Sequence, residues 1–563
     1  MSTQPLRRSA RAASQKPEEP KAAAVKAAIA KTTTAKGDKS TKPIGRTSSR
    51  SNKRAASPDS PPHPPAKRSR SKAAASDTEE AKKLPLKKTP ATAPAKKVTR
   101  QPTVNGLTPI QEQKAYFNPL PTPADHPKPA SQLFCWGAGN FGQFGWGDDH
   151  LGEYAIPKRN LWFEQKMEEG LFGGQGSGLE AIAAGGLHTL FIDEKGTVWS
   201  CGVNDDAALG RITKDVPDPD NPEEFINIDD LTAVPHPLQS LVDEKFRAVR
   251  IAAGDSISAA ISDQGELRVW GSFRAAEGSL GFSGDVRLEF LPKAMLELPT
   301  KAGDAEKAVS VVAGNNHLLV LTTHGNIYGW GAGEQGQLGR KILERRKIHG
   351  TVPEKIILGA RHNRAVLVGA GNYHSFAVDE EGNVWGWGLN TMGQTGTGVA
   401  EPKSMSDEVR SPRMIQSLSK KTLGDSIVQI TGGEHHTLFL TSSGKVYACG
   451  RCNDHQLGIG DEVVEYASRK NPDFVSEPML VQFNDPDDPI VFISAGTHNN
   501  MAISRAGALY AWGQEAQGEL GVGDKAHDTP TAIVRKDGGS WRAVSVACGG
   551  QHTLGMFRRK GEA

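Results

Sequence analysis

Residues 183–196 read AAGGLHTLFIDEKG, and the stretch returns six times along the chain. It reappears as AAGDSISAAISDQG (252–265), VAGNNHLLVLTTHG (312–325), GAGNYHSFAVDEEG (369–382), TGGEHHTLFLTSSG (431–444) and SAGTHNNMAISRAG (494–507), and its last copy is ACGGQHTLGMF (547–557). Each copy spells a strand, a turn of small residues, a second strand and a tight turn. A second half-unit, V-W-x-W-G followed by a glycine-rich tail, also occurs seven times, and its first copy, LFCWGAGNFGQFG (133–145), comes before any first half. The chain therefore opens with a second half and closes with a first half. Seven complete units exist only if the C-terminal strands join the N-terminal ones in one sheet. Short strands, glycine turns and ring closure predict an all-β, seven-bladed β-propeller over 133–557, which leaves only short protected edges.

The repeat positions suggest packing roles. Trp136, Trp270, Trp330, Trp387 and Trp512 recur in the second half-unit and are expected to pack between blades. Cys449 stands at that same position, so the Cys449–Cys452 pair reads as core filler rather than as half of a zinc site. His188, His317, His374, His436 and His552 share one place in the first half-unit, where Ile257 and Asn499 substitute. Equivalent positions in a seven-bladed wheel lie around a wide circle, too far apart for one metal, so the expected role is a hydrogen bond tying adjacent turns. Ile257 then marks a blade secured differently. The residues just before this position vary freely, which suits a partner-reading rim.

Net charge is only +3, but it is unevenly placed. Residues 1–132 hold 27 Lys and Arg against 9 Asp and Glu, a balance of +18, while the rest of the chain balances at −15. The N-terminal segment is rich in Lys, Ala, Pro, Ser and Thr and is expected to stay disordered. Lys53-Arg54, a twelve-residue spacer, then Lys67-Arg68-Ser69-Arg70 forms a bipartite nuclear-import pattern, implying an importin as partner. Its cations are dense enough to displace counterions from DNA phosphates. Ser57, Ser60 and Thr89 each precede a proline among these clusters, where phosphorylation would cancel charge. No apolar run reads as a secretory signal or membrane span. Five cysteines favour a reducing compartment over a disulfide framework. Residues 558–563 read as a short C-terminal tail.

One copy breaks the pattern. From the first glycine of each tail to the last is eight residues in six copies, such as Gly331 to Gly339, but Gly271 to Gly281 spans ten, through WGSFRAAEGSLG (270–281). The seven units with their A-G-x-x-H-type turn, the W-G-x-N-x-x-G-Q-L-G tail and this enlarged blade end resemble the regulator of chromosome condensation family, over residues 133–557. That resemblance implies a propeller that promotes guanine-nucleotide exchange on the Ran GTPase, with the enlarged end forming a β-wedge: Ser272, Phe273, Arg274, Ala275, Ala276, Glu277, Gly278 and Ser279. It implies further rim contacts at Asp255, Asn316, His435, His436 and Arg340. The family carries a carboxylate where this chain has Asn316, which weakens the expected attraction to a GTPase cation. It also implies chromatin attachment, through the basic tail to DNA and through a loop bearing Arg345, Arg346 and Lys347 to the acidic histone surface.

No nucleophile–base pair, metal cluster or phosphate loop is apparent, so covalent catalysis, a metal and a cofactor are not expected. Two function classes stay open: a nuclear, chromatin-associated exchange factor, and a non-catalytic scaffold binding chromatin or regulatory proteins.

Overall fold

Each A-G-x-x-H stretch folds as two antiparallel strands around a four-residue turn, and the V-W-x-W-G stretch adds a third strand beside them. In blade one these are Leu179–Ala184, His188–Asp193 and Val198–Gly202, with His236–Pro237 completing the sheet. The structure, a computed structural model, describes residues 115–561 apart from 148–149, 399–407, 470 and 524. Among them are seven four-stranded sheets. The blades follow in chain order, with innermost strands Leu179–Ala184, Ala248–Ala253, Ala308–Ala313, Ala365–Ala370, Ile427–Gly432, Ile490–Ala495 and Trp541–Cys548. In six blades the second strand is buried along its whole length, and in blade seven it is buried from His552 to Phe557.

Closure is as the repeat order requires. Gln132–Ala138 lies antiparallel to His552–Arg559, pairing Leu133 with Met556 and Trp136 with Thr553. Blade seven thus takes two strands from each end of the propeller sequence. The last strand runs to Arg559, past the boundary expected at 557. The N-terminal boundary also moves, because residues 117–128 are laid across the turns that follow the second strands. Asn118 donates to the Thr322 and Ala365 carbonyls, Phe117 stacks under Arg364, and Lys128 pairs with Glu194 at 2.7 Å. The expectation of disorder up to 132 is therefore wrong for this strap. Its many prolines suit an extended segment, held by these polar contacts and by Leu120 packed against the core.

Two polar devices join neighbouring blades. The first uses the recurring histidine. His188, His317 and His374 reach Ser258, Ser375 and Thr437 of the next blade at 2.7–2.9 Å, His436 reaches Asn500 and His552 reaches Thr189. All five imidazoles are buried, so the expected structural role holds. The second uses one tail carbonyl in each of six blades. Gln337 O accepts from Ser375 Oγ and Trp387 Nε1 of the next blade, and Gln456 O from Asn500 and Trp512. Ala208 O serves Ser258 and Trp270, and Glu519 O serves Thr553 and Trp136. At Gln143 and Gln394 a threonine donates and cysteine replaces tryptophan. Cys449 is thus seated in the core, as expected.

Burial holds His188 and His436 down to about 4, and His317 and His552 to about 3. In the unfolded chain these rings protonate near 6.5, so between there and 4 the unfolded chain binds more protons, and stability falls as pH drops. Each ring contributes up to about 1.4 kcal/mol per pH unit in that window. The unfolding midpoint in urea should decline steeply from pH 6.5 to 4.5 and stay level from 6.5 to 8; a flat profile across the acidic range would contradict this account of the ladder.

Candidate functional site

One seam lacks both devices. Between blades two and three the ladder position is Ile257 and its facing residue is Leu318, which can neither accept nor donate. Trp330 Nε1 has no protein acceptor. The carbonyl that would serve it belongs to Ser279, and Ser279 is instead paired with Arg274 across a hairpin of Phe273–Ala275 and Gly278–Gly281. The two additional residues build this hairpin. Phe273 fills the seam in place of the polar lock: it packs with Ile257, Leu318 and Trp330, all four fully buried. Gly271 at φ +105° passes directly over the Ser256 carbonyl, where any side chain would collide.

The hairpin stands on the face formed by the A-G-x-x-H turns and the third-strand exits. The strap of residues 117–128 is on the other face. Ser272 and Phe273 are buried roots, whereas Arg274, Ala276, Glu277 and Ser279 are exposed and Ala275 and Gly278 half-buried. Asn316 Oδ1 accepts from the Arg274 backbone N–H at 2.8 Å, so this amide secures the hairpin base. The Arg274 guanidinium lies 3.6 Å from Asp206 and 3.9 Å from Asp255. Burial raises the Asp255 carboxyl, Arg274 lowers it and Asp206 raises it again.

The other expected rim residues divide. His435 sits at the surface with Glu434 3.6 Å away, and His498 approaches the same carboxylate at 3.4 Å. His436 does not reach the rim; it is fully buried in the ladder. Arg340 turns inward, donating to the Val352 and Gly350 carbonyls and pairing with Glu354, so it fastens its own loop. In that loop Arg345 and Arg346 are exposed, but Lys347 pairs with Glu334 and Glu277 beside the hairpin. The import residues Lys53, Arg54, Lys67, Arg68 and Arg70 lie outside the described residues. Asp206 and Glu334 were not expected. Asp206 falls four positions after the first glycine of its tail and Glu334 three positions after its own, where the repeats vary as freely as before the histidine.

Residues 132–555 match the RCC1-like domain family. The chain belongs to the regulator of chromosome condensation family. Within it, this chain is 33% identical over 471 residues to the protein pim1 of Schizosaccharomyces pombe, covering 80% of this chain and 81% of the relative. It is 31% identical to the guanine nucleotide exchange factor SRM1 of Saccharomyces cerevisiae, over 75% of this chain and 86% of the relative. The Xenopus laevis regulator of chromosome condensation is 30% identical, over 81% and 96%. Among solved structures, Prp20p of S. cerevisiae superposes with a TM-score of 0.64 at 27% identity, covering 80% of this chain and 94% of that one. The family's match thus runs along the whole propeller.

Proposed function

We propose that this protein is a nuclear, chromatin-associated guanine-nucleotide exchange factor for the Ran GTPase, acting through the hairpin of residues 273–281 and the acidic rim beside it. The observation that carries the reading is the projecting hairpin, built at the one seam that has lost both inter-blade devices, in a chain similar to a named guanine nucleotide exchange factor. Prp20p, the structural neighbour, is described with its binding to Gsp1p and histones, and a second structure of yeast RCC1 holds it bound to Kap60. Those partners suit a tail with a bipartite import pattern.

The mechanism needs no covalent chemistry. Nucleotide is held in a GTPase by backbone N–H groups, a lysine and Mg²⁺ around its phosphates. Binding at the picomolar-to-nanomolar scale is worth about 12–16 kcal/mol, and the exchange factor must nearly match this in its affinity for the empty state. The exposed hairpin tip supplies contacts that exist only once the phosphate cradle is distorted. Asp206, Asp255 and Glu434 form a rim to which a basic GTPase surface is steered. Arg274, now over the two aspartates, is displaced when a partner cation takes its place.

Release of labelled GDP from Ran tests this: acceleration by the protein supports exchange, and tight binding without acceleration favours the scaffold reading. Removing residues 1–114 should leave release unchanged and weaken DNA binding. For six to ten phosphate contacts, affinity of the full chain should fall by about 10³–10⁵ between 50 and 200 mM salt. Equal salt-sensitive binding by the shortened chain would contradict assigning DNA contact to the tail. Arg345 and Arg346 lie on the hairpin face, so a histone surface engaged there would compete with the GTPase.

A further inference from the structure

We propose that Lys347 and Glu334 are positioning residues for the hairpin, forming a strut that holds its tip in the orientation that expels nucleotide; the inference rests on the exchange-factor reading. A two-stranded hairpin on its own is marginal in water. This one has its root in the core through Phe273, but its tip, Ala276 and Glu277, is exposed and gains nothing from burial. What holds the tip comes from the next blade. The Glu334 carboxylate accepts from the Ala276 backbone N–H at 2.8 Å. Lys347 Nζ lies 2.6 Å from Glu334 and 3.1 Å from Glu277, reaching both the anchor and the tip. Glu334 and Lys347 are each only 17% exposed in their side chains, so their attraction is poorly screened, unlike that of a surface pair. Lys347 is itself fixed on the kinked 3-10 segment Glu344–Thr351, whose Ile348 lies against Gly281 at the hairpin's end. Arg340 clamps that segment through the Gly350 and Val352 carbonyls.

Such a strut acts on the release step more than on docking. The rim that recruits the GTPase does not include Lys347. A hairpin that must be ordered only in the nucleotide-free complex loses stabilisation to ordering entropy at that stage. The loop read from sequence as a chromatin contact thus contributes one residue, Lys347, to the exchange machinery.

The test compares the full-length protein with Lys347→Met, Glu334→Gln and Lys347→Arg, measuring GDP release from Ran alongside hydrogen exchange at residues 274–281. In Lys347→Met the hairpin amides should exchange faster, and kcat for release should drop about tenfold, the loss expected of a charge-assisted contact, with KM within twofold. Glu334→Gln keeps an acceptor for Ala276 and should fall between. Lys347→Arg should restore both readouts. Unchanged hairpin protection in Lys347→Met would overturn the strut, as would a loosened hairpin with unchanged release. Failure of the unmodified protein to release GDP from Ran would instead overturn the exchange reading, while hydrogen exchange still decides whether the strut exists.

Discussion

Replacing Ser272–Ser279 by the six residues Ala-Gly-Glu-Gln-Gly-Gln that occupy the equivalent place in blade three, together with Leu318→Ser, should leave a folded propeller whose stimulation of GDP release is lower by on the order of 10²-fold, about 2.7 kcal/mol. The second change matters. Phe273 is lost with the hairpin, and its removal alone, as Phe273→Ala, should cost about 3–5 kcal/mol by opening a cavity beside Ile257, Leu318 and Trp330. A shortened tail presents its carbonyl as in the other six blades, and serine at 318 supplies the hydroxyl that Ser375 supplies to Gln337 O. Trp330 Nε1 then gains the acceptor that Trp387 Nε1 already has. Circular dichroism and thermal melting check the fold, and stopped-flow release of labelled GDP checks activity. Full exchange activity in this folded variant would remove the hairpin from the mechanism.

The second large effect concerns closure. Deleting residues 1–139 should abolish cooperative unfolding, whereas deleting residues 1–114 should leave the transition where it is. Among the described strands, Glu153–Arg159 joins the sheet of blade seven through Gln132–Ala138 alone. Leu133, Cys135 and Trp136 are buried, and Trp136 also closes the lock at Glu519 O. Losing a buried tryptophan and leucine costs about 3–5 and 2–5 kcal/mol, comparable with the 5–15 kcal/mol that holds a domain together. An intermediate deletion, residues 1–129, removes the strap along with the tail and should lower the melting temperature by several degrees with cooperativity kept. Calorimetry separates the three. A sharp transition surviving the longest deletion would mean that six blades suffice.

Much of this was legible because a repeat fold writes each contact seven times. The order of half-units gave the closure, and the shared position of His188 and its equivalents gave their tie between blades. What the repeat hides is the identity of partners a full unit away. The exchange of His for Ile257 makes sense only beside Leu318, some sixty residues on, where serine, threonine or asparagine stands in every other blade. Phe273 was misleading for a related reason. An aromatic residue in an inserted hairpin suggests a contact surface, but it points back into the one seam with no polar lock to fill it. His436 and Arg340 were placed on the rim by resemblance, whereas local packing turns both inward. The strap escaped because nothing periodic marks it: YFNPLPTPADHPKP is held by Asn118 on the carbonyls of distant turns and by isolated apolar contacts such as Leu120, with no repeating stripe.

The composite seventh blade also sets a timetable. Its first strand leaves the ribosome roughly 400 residues before its last, and at about 5–20 residues per second that is an interval of tens of seconds. Throughout it, Gln132–Ala138 has only Glu153–Arg159 to pair with, and the edge that His552–Arg559 will cover stays open to any passing chain. The nascent protein is therefore a natural client for chaperones until synthesis is nearly finished, and slowing translation late in the message should lower the yield of soluble protein more than slowing it early.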